Sequence, residues 1–158
     1  MAFVIRPAAP GDEEVILGLL RELAQYEKLT HIFQLTRELV ARDILGPAKI
    51  LHCDLAYSDG LPVGLATWYW TYTSFAAARG IYLEDLFVRE IERGQGFGKA
   101  LLAQLAKQAR ANGAVRVEWS VLTWNKPSIE FYESLGAKPV AGWFVYRLDG
   151  AALEKMAE

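Results

Sequence analysis

The chain has 158 residues, a length that fits one domain able to bury a real core. Its 53% hydrophobic, 23% charged and 12% aromatic content excludes a disordered tail, a collagen-like repeat and a low-complexity linker. Seventeen basic against nineteen acidic residues leave a net charge of −2, so no global field draws the chain to nucleic acid or to an anionic membrane. A single cysteine, Cys53, excludes an intrachain disulfide and a multi-cysteine metal site, and is read as a small buried residue. The two histidines, His31 and His52, are too few and too far apart for a His-rich metal site or a His-based triad. No metal is expected. The opening stretch through Pro7 lacks the long apolar segment of a signal peptide, and no run approaches the roughly 18 apolar residues of a membrane span. These features lead us to expect a cytoplasmic protein.

Taken in chain order, Ala2–Arg6 reads as a short strand ended by Pro7. Asp12 offers a cap to a helix from Gly11 to about Leu29, in which Val15, Leu19, Leu20, Leu23 and Tyr26 recur at helical spacing. Thr36, Leu39, Val40, Ile44 and Leu45 mark a shorter second helix that ends near Gly46-Pro47. Ile50–Tyr57 and Leu61–Tyr72 read as the two strands of a hairpin about Ser58-Asp59-Gly60, followed by a strand at Ile81–Val88. Gly96–Asn112 is the longest helical pattern, closed by Asn112-Gly113. A strand at Val115–Leu122, a helix at Lys126–Leu135, a last strand at Phe144–Leu148 and a short terminal helix after Asp149 complete the chain. The order β-α-α-β-β-β-α-β-α-β with a terminal helix predicts a single α/β domain (α+β type). Its mixed central sheet would have about six to seven strands flanked by helices.

Two stretches carry chemistry. The first is Arg93-Gly94-Gln95-Gly96-Phe97-Gly98-Lys99, between a strand and the longest helix. Glycines at alternate positions let backbone N–H groups turn inward, and a helix N-terminus adds unpaired donors and partial positive charge. Lys99 opposes the helix dipole in the first turn, a conflict that a bound anion would remove, and Arg93 adds a second cation. The spacing is neither that of a P-loop nor that of a dinucleotide fingerprint. The second stretch is Glu84-Asp85, adjacent carboxylates inside an apolar strand, where burying charge demands a reason. Neighbouring strand residues face opposite sides, so one acid is expected near a reacting group and the other elsewhere. A carboxylate so placed tends to a raised pKa, suited to a general base near neutrality.

Tyr82-Leu-Glu84-Asp85-Leu-Phe-Val88 followed by Arg93-x-x-Gly96-x-Gly98 resembles the acetyl-CoA motif of the GNAT superfamily of N-acetyltransferases. Phe3-Val-Ile-Arg-Pro-Ala8, Glu22–Glu27, Trp124-Asn-Lys-Pro-Ser-Ile-Glu-Phe-Tyr132 and Gly142-Trp143 extend the likeness over almost the whole chain. They narrow it to the diamine acetyltransferases, which act on spermidine, spermine or thialysine.

The resemblance implies a GNAT fold, commonly a homodimer, using acetyl-CoA as cosubstrate and a small-molecule amine as acceptor, with no nucleic-acid or membrane partner. By this likeness the backbone of Leu86, Phe87 and Val88 pairs with the pantetheine arm. Arg93, Gly94, Gln95, Gly96, Phe97, Gly98 and Lys99 hold the pyrophosphate. Asn125 and Ser128, at the start of a second helix, face the cosubstrate. Glu84 becomes the general base, through a water, and Tyr132 the acid that protonates the leaving thiolate. Tyr26, Glu27, Asp85, Glu118 and Trp143 line the amine site as an acidic cleft.

The chain departs from the polyamine pattern at Thr73-Ser74-Phe75 and in the short, acid-free loop Ala137–Ala141, which favours a shorter or less charged amine. The other readings are an acetyltransferase for a protein N-terminus, a lysine or an antibiotic amine, and a non-catalytic acyl-CoA-binding module.

Overall fold

The computed structural model describes residues 2–158, which fall into two compact units, the first ending at Ser120 and the second spanning Val121–Glu158. The first unit is built on a five-stranded sheet in the order β1-β2-β3-β4-β5. Its strands are β1 (Phe3–Pro7), β2 (His52–Ser58), β3 (Leu61–Thr73), β4 (Ala78–Val88) and β5 (Val117–Glu118). The first four are antiparallel neighbours, and β5 runs parallel to β4. The mixed α/β class is as expected, with fewer strands than the six to seven anticipated.

Two apolar layers cover the sheet. Helix α1 (Glu13–Tyr26) buries Ile16, Leu19, Leu20 and Leu23 against Leu55, Leu65 and Phe87 on one face. Helix α3 (Phe97–Ala111) buries Phe97, Leu101 and Leu105 against Ala56, Ala66, Trp68 and Ile81 on the other. Each fully buried aliphatic side chain contributes about 1.5–3 kcal/mol, and the alternation of β3 and β4 between the layers fixes their register. Helix α2 (Arg37–Leu39) is capped by Thr36, whose hydroxyl accepts from Leu39 N–H at 3.3 Å. It continues as a π turn through Val40–Ile44.

Three expectations are corrected. Asp12 precedes α1 but makes no side-chain cap, because its carboxylate is taken by the Arg6 guanidinium at 2.7 and 2.9 Å and by Ala9 N–H at 2.8 Å. The strand expected over Val115–Leu122 shrinks to Val117–Glu118, which pair with Ile81 and Tyr82. A bulge in β4 follows two residues later, and bulges bend a strand and increase its twist. Residues 144–148 form no strand: Phe144, Val145 and Tyr146 are 88%, 92% and 91% exposed. Strand-type composition does not make a strand without a neighbour to satisfy its backbone. The second unit instead holds helices α4 (Lys126–Ser134) and α5 (Gly150–Met156).

Candidate active site

The site begins at that bulge. Thr67 pairs with Asp85 while the next residue, Trp68, pairs with Leu83, so Glu84 is an extra residue opposite the step between them. The insertion cancels one alternation. Strict period-two geometry would send Glu84 and Asp85 to opposite faces, but both line one cavity on the α1 side of the sheet. This overturns the expectation that the two acids diverge.

The cavity measures about 760 Å³. Its walls are largely apolar: Leu20, Leu23 and Ala24 of α1, residues Leu29, Ile32, Phe33 and Leu35 after it, and Ile44, Ile50 and Leu51. The charged side chains among its lining residues are Glu27, Asp43, Glu84 and Asp85, all acidic. Asp43 is partly neutralised by Arg42, whose guanidinium meets it at 2.7 and 2.9 Å.

The three remaining acids differ in environment. Burial pushes the Asp85 carboxyl above the ordinary aspartate range, opposed by the Thr67 hydroxyl that donates to its Oδ2 at 2.5 Å and aided by the charge of Glu84. Burial also raises Glu27, with a further push from the charge of Asp85. Glu84 itself is exposed. Of the two adjacent acids of β4, Asp85 is the one set in a desolvating environment. Tyr69, which lines the same cavity, is raised by burial and by the charges of Glu84 and Tyr82.

Glu118 is not among the residues of this cavity. It pairs with Arg116 at 3.1 Å on β5, because residues two apart on a strand share a face. Tyr26 lies at the end of α1, and the Arg93 guanidinium carbon sits 4.4 Å above its ring. Arg93 Nε donates to the Val88 carbonyl at 3.1 Å. Arg93 thus touches Tyr26 and Val88 while remaining exposed, and Lys99 is likewise exposed in the first turn of α3.

The glycine turn leads directly into α3. Gly94 and Gly96 adopt φ of +79° and +89°, and nothing lies within 4 Å of a side chain built at either. The turn is thus open outward, and its glycines answer a backbone demand that β-branched residues meet poorly. Gly96 caps α3, whose first helical bond runs from Ala100 N–H to the Gly96 carbonyl. The N–H groups of Phe97, Gly98 and Lys99 precede that bond and have no acceptor within the helix. The Phe97 ring is buried and stacks on Phe3 at 4.9 Å. Gln95 donates to Glu92 at 3.0 Å. The side chains of Leu86, Phe87 and Val88 pack into the two core layers, and β5 pairs with β4 only at Ile81 and Tyr82.

In the second unit Asn125 is buried and caps α4, its Oδ1 accepting from Ser128 N–H at 3.4 Å. Ser128 and Tyr132 lie one turn apart on the same helix. The Tyr132 ring is partly buried and tilts against Phe131 at 5.4 Å. Trp143 is 81% exposed.

Residues 17–137 match the acetyltransferase (GNAT) family. The chain is 36% identical to thialysine N-epsilon-acetyltransferase of Bos taurus, over 99% of each chain. It is 33% identical to the Caenorhabditis elegans enzyme of the same name, over 99% of this chain and 98% of that one. The chain belongs to the GNAT family and is an N-acetyltransferase. L-ornithine N5-acetyltransferase of Arabidopsis thaliana is 33% identical over 95% of this chain and 86% of its own. An integron cassette protein of V. cholerae shares the fold at a TM-score of 0.85 and 23% identity, over 100% of this chain and 99% of that chain.

Sequence reasoning missed several residues of this acetyltransferase. Thr67 and Tyr69 sit in an unbroken strand run and carry no motif. The wall formed by residues 29–35 and 50–51 comes from loops whose path no periodicity announces. Asp54 was also passed over: it is buried, accepts from Trp68 Nε1 at 2.8 Å, and is raised by burial. It sits beside His52, which stacks on Trp68 at 4.3 Å, and neither residue is in the cavity.

Proposed function

We propose that this acetyltransferase moves the acetyl group of acetyl-CoA directly to a primary amine of a small cationic substrate, such as a diamine or a thialysine- or ornithine-like amino acid. The observation that carries the reading is the cavity beside β4, apolar in its walls and lined by carboxylates with no basic residue among them. A protonated amine entering it gains charge-assisted hydrogen bonds in a low-dielectric setting. The relatives named for thialysine and L-ornithine support the same class of acceptor.

The glycine turn fits the phosphates of the cosubstrate. It offers N–H groups at a helix N-terminus, open space beside Gly94 and Gly96, and Lys99 in the first turn. Acetyl-CoA supplies an activated thioester carbonyl. Glu84 takes a proton from the ammonium through water, which its exposure admits, and Asp85 and Glu27 hold the cation. The likeness to the family gives Tyr132 the role of the acid that supplies the proton the leaving thiolate needs, and Asn125 and Ser128 that of cosubstrate contacts. The neutral amine nitrogen forms its bond to the acetyl carbon as the carbon–sulfur bond breaks, and the second proton that the nitrogen then sheds replaces the one Tyr132 has given. An acetylated cysteine is disfavoured: Cys53 is buried in the core, and burial pushes its thiol well above the ordinary range.

Release of free CoA is the test, with thialysine, ornithine, short diamines, spermidine, an aminoglycoside and a peptide N-terminus offered in turn. Turnover concentrated on the small cationic amines is expected, and turnover confined to the peptide or the aminoglycoside overturns the reading. A second outcome probes the glycine turn. Gly96→Val is expected to raise KM for acetyl-CoA about tenfold, with strain of about 1–3 kcal/mol at a left-handed position, and to leave KM for the amine nearly unchanged. Steady-state kinetics with each substrate varied separately decides it.

A further inference from the structure

We propose that Thr67 is a positioning residue whose buried hydroxyl holds Asp85 Oδ2, so that the carboxylate meets the substrate cation in one orientation. The inference rests on the proposed acceptor class. Thr67 is 0% exposed and lies directly across the β3–β4 ladder from Asp85, at the last paired step before the bulge. Its Oγ1 is 2.5 Å from Asp85 Oδ2. An ionised carboxylate only accepts, so the hydroxyl must be the donor. The β-branched side chain is stiff at χ1, which transmits the order of the sheet to the acid.

The surroundings of Asp85 show why such a donor is needed. Glu84 on β4 and Glu27 at the end of α1 bring like charge, and Asp43, beyond α2, lines the same cavity with its charge met by Arg42. Burial and the charge of Glu84 favour the protonated acid, and the Thr67 hydrogen bond works against them. Tyr69, next but one on β3, is also in the cavity lining.

The test compares Thr67→Val, which keeps shape and loses the hydroxyl, with Thr67→Ser, which keeps the hydroxyl. Two readouts are used: the titration of the Asp85 carboxyl by carbon NMR, and the pH profile of KM and kcat with a diamine. Thr67→Val is expected to move the Asp85 midpoint up by about one pH unit and to move the acid limb of the amine KM with it. The kcat at saturating amine should change much less. Thr67→Ser should restore the midpoint, and Thr67→Val added to Asp85→Asn should cause no further rise in KM. An unchanged midpoint in Thr67→Val overturns the proposal, as does a Thr67→Ser variant as shifted as Thr67→Val. If wild-type protein acetylates no amine, the acceptor assignment fails, and the NMR titration alone decides the role of Thr67.

Discussion

Glu84→Gln is expected to lower kcat for a short diamine about 100-fold or more at neutral pH, with KM for the amine changed only a few-fold. The amide keeps the shape and hydrogen-bonding reach of the side chain but cannot take a proton. Glu84 is the extra residue of the bulge, so it lines the cavity while remaining exposed. A base in that position can receive a proton from a bound ammonium through a water. Raising the pH should rescue the variant in part, because more of the amine then arrives already neutral. A Glu84→Gln enzyme with undiminished kcat at neutral pH removes Glu84 from the proton path.

Asp85→Asn should fail in the other parameter. Loss of one charge-assisted contact in a buried setting is worth about 1.5–3 kcal/mol, which corresponds to a rise in amine KM of roughly 10- to 100-fold. The pH dependence follows from the same burial. Asp85 and Glu27 are both raised, so both hold their protons to higher pH than ordinary carboxylates. Cation binding needs them ionised, and the wild-type amine KM should fall as pH rises through their raised folded values. Stability moves the opposite way. A carboxyl raised in the folded state binds its proton more tightly there than in the unfolded chain. Its contribution to stability is therefore fully present below the unfolded pKa and is lost as pH rises through the folded one. Asp85→Asn should accordingly be as stable as wild type or more so at neutral pH, while binding the amine less well. Thermal melts beside the kinetics would read both effects, and a destabilised variant with normal KM would refute this account of Asp85.

The sequence pattern carried the framework because apolar spacing and glycine chemistry are local. The helical repeat of Leu19, Leu20 and Leu23, the run of β4 and the turn before α3 needed no knowledge of distant contacts. The cap at Asn125 and the first-turn Pro127 of α4 are equally local features. What was hidden depended on pairing. The bulge arises from the register of β3 against β4, and nothing in Leu83-Glu84-Asp85 reveals that one residue drops out of the ladder. Strict alternation therefore sent the two acids to opposite faces. Glu118 was drawn toward the site by likeness alone, while its neighbour two residues back, Arg116, supplies its partner. Strand propensity at 144–148 was real, yet a strand exists only when something pairs with it.

The central claim is that the carboxylates of the β4 cavity select a cationic acceptor. The most direct measurement compares kcat/KM for a short diamine with that for the amino alcohol of equal length, in which a hydroxyl replaces the second amine. Wild-type enzyme is predicted to prefer the diamine by about 100-fold, and Asp85→Asn to lose most of that preference. Equal turnover of the two acceptors by the wild-type enzyme would contradict it.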